Sequence, residues 1–242
     1  MPVPSASPPG ILRSIAVAFR QNRVPCLALN IVVAALVASY YYWPASAGFW
    51  ESLGQIKTRW SFGFSLASTA FAAAILPFTV QWLMGTLPVD HRLKRLTLMV
   101  LFWGYRGMEI DLFYRVQGWI FGNGHDAVTL TKKVLVDQFI MTPLWFVPTY
   151  LLALRWIELG GSWSRTRASI HRDFWFRTFP AVLATNWLVW IPTLVLVYSL
   201  PPALQFPLFS VVMCVFILLV TLLARPEEPG ASPSAQEPSR VS

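Results

Sequence analysis

The chain has 242 residues, 55% of them hydrophobic and only 12% charged, with a mean hydropathy of +0.53. Soluble domains carry about 25% charged residues, so an ordinary water-exposed globule is excluded, and the long apolar runs exclude a disordered chain. The net charge of +8 reads as membrane topology; no nucleic acid is expected, because no basic run alternates with exposed aromatics as a single-strand groove requires.

Residues 1–10 are rich in Pro and Ser and cannot bury enough apolar surface to order themselves. With Arg13, Arg20 and Arg23 they make a basic, partly disordered tail over 1–23. Arginines and serines without acids also describe a mitochondrial presequence. The apolar run that follows is too long and too close to those arginines for a cleaved leader, so it is read as a retained first helix. Counting that helix there are six apolar segments, each near the 20 residues that cross a hydrocarbon core of about 30 Å. They are 24–43, ending in an aromatic cluster; 61–86, rich in small residues with Pro77 inside; and 97–121, which holds Arg106, Glu109, Asp111 and Arg115. Next come 132–156, with Asp137, Gln138, Pro143 and Pro148; 179–200, with Asn186 and Pro192; and 204–224, without a charge. A Pro/Ser-rich tail over 226–242 reads as disordered. In the connector 157–178, Ser162 is expected to cap a basic amphipathic helix with Ile170, Phe174 and Trp175 on one side. Such a helix lies in the headgroup plane.

With six spans, 13 of the Lys and Arg residues fall on one side and 4 on the other, leaving Arg106 and Arg115 inside the third span. Basic residues concentrate in cytoplasmic loops, so both termini are expected on the cytoplasmic side. The fold class is therefore all-α: one polytopic bundle over 24–225, with about six membrane helices and a short amphipathic surface helix.

The third span carries the most information. Arg106 and Glu109 share one side of the helix, while Asp111 and Arg115 lie nearly opposite, so both pairs can form on one helix. Charge at the bilayer centre costs from about 2.5 kcal/mol upward unless paired or hydrated. Two readings stand: a solute or ion path, or an ion-pair clasp that fixes packing. Lys133, four residues before Asp137, is the expected partner of that carboxylate. Pro77, Pro143, Pro148 and Pro192 leave carbonyls without helical donors. Such groups persist at membrane depth only when buried in protein or bordering a polar cavity. If Glu109, Asp111 and Asp137 border one aqueous path, their negative field favours cations.

Enzyme signatures are missing. His91, His125 and His171 lie in three separate loops without metal-ligand spacing, and Cys26 and Cys214 sit alone in apolar runs. Gly122-Asn123-Gly124 is not followed by a phosphate-loop ending, and Gly63-Phe64-Ser65 lacks the strand that a nucleophile elbow needs. No catalytic group, metal or cofactor is expected.

The run Lys133-x3-Asp137-Gln138-x4-Pro143 resembles a motif of the peroxisomal membrane proteins of about twenty-two kilodaltons, the Mpv-seventeen-like family. Phe179-Pro180-Ala181 leading to Asn186-Trp187-x-x-Trp190 is similar to a second family stretch, and Gly107 and Tyr114 to a glycine–tyrosine pairing. The resemblance covers about 61–224. It implies a multi-pass protein with channel activity, linked to reactive-oxygen and nucleotide homeostasis. Departures are Ile191 ahead of Pro192, Leu194 and Val197 at family polar positions, Phe216-Ile217 for tryptophan-asparagine, and Gln205 near a family arginine. Glu109 and Asp111 are additional charges, so polar lining has moved toward the third span. These differences fit a divergent, bacterial member in the cytoplasmic membrane; the mitochondrial inner and peroxisomal membranes are the alternatives. The expected partners are the lipid bilayer and small solutes or ions, with a homo-oligomer open. The channel-like reading is set against a non-conducting structural or stress-related scaffold. Candidate pore or polar-network residues are Arg106, Glu109, Asp111, Arg115, Lys133, Asp137, Gln138 and Asn186.

Overall fold

A computed structural model describes residues 11–87 and 91–223, and no strand occurs among them. The expected disorder of 1–10 and 226–242 lies outside the described residues. Helix α1 (Ile11–Tyr42) starts well before the expected Val24, so the basic stretch 11–23 is helical and continues into the first span. Cys26, Leu29, Val33 and Val37 recur at helical spacing and are buried, mainly against the fifth span, while Val24, Leu27, Ile31 and Val32 face outward. Exposed Tyr42 and Trp43 close the span, as interfacial aromatics do.

The 44–60 segment, which lies between the first two apolar segments, contains helix α2 (Ala47–Trp60). Trp50, Leu53 and Lys57 point inward at helical spacing, and Phe49, Ile56 and Trp60 point outward. Fourteen residues are too few to cross a bilayer, so α2 lies against the start of α10 (Pro202–Leu223). The second span comprises α3 (Phe62–Ala70), a π-helical turn Phe71–Ile75, and α4 (Leu76–Leu83).

Helix α5 (Arg92–Phe121) holds the charged third span in 30 unbroken residues, about 45 Å at 1.5 Å per residue. It packs against α3 over its small-residue face and against α10. The fourth span is α6 (Ala127–Val136), a π-helical stretch Asp137–Phe146, and α7 (Val147–Glu158). The fifth is a π-helical turn Phe174–Thr178 followed by α9 (Phe179–Tyr198). Among the described residues, five stretches are long and apolar enough to cross a membrane: Arg23–Tyr42, Phe62–Leu83, Ala127–Glu158, Phe174–Tyr198 and Pro202–Leu219. α5 has the length but is more highly charged. The architecture is an all-α membrane bundle.

Each π-helical stretch ends two residues before a proline: Ile75 before Pro77, Phe146 before Pro148, Thr178 before Pro180. A proline ring clashes with the carbonyl four residues back and offers it no N–H. Widening the preceding turn to i→i+5 bonding absorbs that conflict.

One expected element differs. The connector forms only α8 (Trp163–Ser169), which ends at an extended Ile170. Phe174 and Trp175 belong instead to the π-helical start of the fifth span, so the proposed shared face with Ile170 is not formed. Ser162 precedes α8 but accepts no capping hydrogen bond; its hydroxyl meets that of Ser164. With polar Ser, Arg and Thr filling α8, the apolar residues fell to the stretch that continues into the membrane.

Candidate functional site

Arg106 with Glu109, and Asp111 with Arg115, lie on two sides of α5, as their spacing requires. On one side, Asp111 is buried and accepts at Oδ2 from Lys57 Nζ at 2.6 Å and from the Ser65 hydroxyl at 2.8 Å. Arg115 reaches the same carboxylate from i+4, its Nε 3.3 Å from Oδ1. Lys57 also donates to the Ser61 carbonyl and to Ser65 Oγ, and Arg115 Nη2 donates to Ser61 Oγ. Ser61 joins α2 to α3 at φ +48°, a conformation that side chains rarely adopt. Both its carbonyl and its hydroxyl are thereby held toward the two cations. This cluster borders a vestibule of about 680 Å³, lined also by Asn123 and by Ala203, Gln205 and Phe206 of α10. Two cations face one carboxylate there.

On the other side, buried Arg106 pairs with Glu109 at 2.6 Å and donates to the Thr149 hydroxyl at 2.7 Å and the Phe146 carbonyl at 3.4 Å. Phe102 and Phe146 flank the guanidinium, 5.3 and 5.5 Å from their ring centres. Glu109 accepts from Trp145 Nε1 at 2.6 Å. The spacing thus predicted both α5 pairs, and α7 completes the first.

Asp137 sits at the start of the ten-residue π stretch and is buried. Its carboxylate accepts from the Tyr198 hydroxyl at 2.6 Å, from Gln138 Nε2 at 2.9 Å, and from Thr142. The expected ion pair with Lys133 is not formed. Uncharged donors take both carboxylate oxygens, and buried Lys133 rests its Nζ 5.7 Å from the Tyr198 ring centre. Gln138 accepts from Asn186 Nδ2 at 3.2 Å, and its carbonyl from Trp187 Nε1 at 2.7 Å. In i→i+5 bonding the partner of that carbonyl would be the amide of residue 143, which is proline. The indole of the neighbouring helix replaces the missing donor. The two motifs singled out in the sequence are therefore joined in space.

Arg106, Asp137, Gln138 and Asn186 line one inner cavity of about 400 Å³, walled by Tyr150, Trp190, Phe209 and other apolar side chains. Trp103 also lines it, and its buried indole N–H has no partner among the described residues. Asp111 and Arg115 line the vestibule, while Glu109 and Lys133 line neither space. Glu109, Asp111 and Asp137 therefore share no single cavity: Asp111 borders the vestibule, Asp137 the inner cavity, and Glu109 neither, which corrects the expectation of one path lined by all three.

Sequence reasoning missed Lys57, which lies between the first two apolar segments, and Tyr198, which lies near the end of the fifth. Lys57, Ser61, Ser65 and Thr69 recur every fourth residue, a polar row running into an apolar span that pointed to the first. Nothing local pointed to Tyr198, whose contact with Asp137 joins residues 61 positions apart. Outside the spans, Asp126 caps α6 by accepting from the Thr129 amide at 3.0 Å, which holds its carboxyl below the usual range.

Compared with protein-family models, with curated proteins and with solved structures, the chain matches none.

Proposed function

We propose that this multi-pass membrane protein passes small solutes or ions in a channel-like or transport manner, as its resemblance to the Mpv-seventeen-like family implies. The observation that carries the reading is the inner cavity, where Asp137 lies among uncharged hydrogen-bond donors with no cation at ion-pair distance among the described residues. A carboxylate kept at membrane depth for packing alone would be matched by a cation, as Asp111 is. Intramembrane ionisable groups mark solute and ion pathways. The unpartnered Trp103 N–H on the same wall supports the reading, because it leaves a donor for a passing polar group. The bacterial cytoplasmic membrane remains the proposed setting.

A non-conducting scaffold is the second reading. It is favoured by the pairing of Arg106 with Glu109, and of Asp111 with Lys57 and Arg115, within the bundle. Purified protein in liposomes separates the two. Potassium and glycerol flux above empty liposomes, with potassium flux reduced by Asp137→Asn, is the expected outcome. Wild-type flux at the level of empty liposomes refutes the passage reading and leaves the scaffold.

A further inference from the structure

The vestibule and the inner cavity approach each other at one side chain. Among the described residues, Tyr114 is the one that lines both. Its ring is buried and packs edge-on against three others, with centroids 5.1 Å from Tyr198, 6.4 Å from Phe206 and 6.1 Å from Phe209. Phe206 belongs to the vestibule wall and Phe209 to the cavity wall, so the ring cluster occupies the boundary between them. Edge-to-face rings at these separations are in direct packing contact.

We infer that Tyr114, with Phe206, Phe209 and Tyr198, is the barrier of the passage and sets the size of solute that crosses. The inference rests on the passage proposed above. The barrier is apolar on its faces, so it excludes solutes by dewetting as well as by bulk, as hydrophobic constrictions do. Polar groups flank it: Asp111 and Arg115 on the vestibule side, and Asp137, held by Tyr198, on the cavity side. A solute leaving one set of partners must therefore cross the rings before meeting the next. The α10 rings also sit at a weakened place. Pro207 lies between Phe206 and Phe209 and supplies no N–H to the Ala203 carbonyl. That missing bond lets the first turn of α10 shift relative to the rest, and moves Phe206 relative to Phe209. With three ring centroids within 6.4 Å of Tyr114, the barrier favours a small polyol or small ion over a nucleotide-sized molecule.

Two readouts test the barrier. In a Cys26→Ala, Cys214→Ala background, Ile110→Cys places a thiol on the cavity wall one helical turn below Tyr114. A membrane-impermeant thiol reagent is added from the vestibule side of oriented vesicles. Tyr114→Ala is expected to raise the labelling rate several-fold, and Tyr114→Phe, which keeps the ring, to restore slow labelling. In parallel, swelling of proteoliposomes in glycerol, erythritol and sucrose reads the size limit. Tyr114→Ala is expected to admit a larger member of that series than the wild type does. Tyr114→Val serves the same purpose should the alanine variant not fold. Equal labelling with and without the ring overturns the barrier. Raised labelling with an unchanged size limit overturns its role in setting solute size. Raised labelling with swelling at the empty-liposome level in every variant supports the barrier and refutes the passage.

Discussion

Lys57 and Asp111 form a tight charge contact across two elements, and both side chains are buried, with 5% exposure each. Removing one member of a buried pair costs about 3–5 kcal/mol, because the other charge is left uncompensated. Arg115 still touches Asp111 from its exposed position, so Lys57→Met is expected near the lower end of that range. The double variant Lys57→Met with Asp111→Asn removes the stranded charge and is expected to recover part of the loss. Thermal unfolding in detergent measures both, and a double variant less stable than the single one would contradict the assignment. Asp126 gives the pH-dependent counterpart. The Thr129 amide holds its carboxyl below the ordinary value in the folded state. Its contribution is therefore complete above the unfolded carboxyl's pKa and is lost as pH falls through the lowered folded value. Asp126→Asn keeps an acceptor for the amide but does not titrate, so its unfolding midpoint is expected to fall less than that of the wild type between neutral and acid pH.

At the scale of helices, Gly107 decides how closely α3 and α5 approach. A Cβ there would lie 2.3 Å from the Ser65 carbonyl oxygen and 2.5 Å from Thr69 Oγ1. Membrane helices that lack a hydrophobic drive toward each other pack through such small-residue faces. Gly107→Ala must push the two helices apart, at about 1–3 kcal/mol for overpacking, and moves Ser65 away from Asp111. Gly63→Ala, with nothing within 4 Å of its Cβ, is the control and is expected to be neutral or stabilising. Monodisperse yield on gel filtration distinguishes the pair. The spans themselves were legible because apolar runs of about 20 residues are the strongest signal a membrane chain carries, and the two α5 pairs because i,i+3 and i,i+4 spacing is local. Helix α2 was not legible: its inward face consists of Trp50, Leu53 and a lysine, and the lysine reads as solvent-facing until Asp111 is known to wait for it. The Lys133–Asp137 expectation failed for a related reason. Spacing allowed the pair, but Tyr198 from another span and Thr142 from the widened turn reached the carboxylate instead.

For the whole molecule, the skew of 13 basic residues against 4 predicts that both termini face the cytoplasm, with α2 and the vestibule on the opposite side. A reporter fused after Ser242 is expected to be active only in its cytoplasmic form. Activity only on the far side would mean that one of the six helical stretches does not cross, with α5 the first suspect. The inner cavity could not be read from the chain at all, since its wall draws on four spans and most of its lining is apolar. The proline-linked π stretches have one more effect. Each changes the phase of every residue after it, because one residue of α-helix corresponds to about 100° of rotation. Deleting a single residue between 139 and 141, with the winding otherwise kept, would turn the residues beyond it by about that angle, carrying Thr149 away from Arg106 and Trp145 away from Glu109. Conversely, the ten-residue stretch fixes the chain length between Lys133 and Thr149, so this segment is expected to accept substitutions far more readily than insertions or deletions.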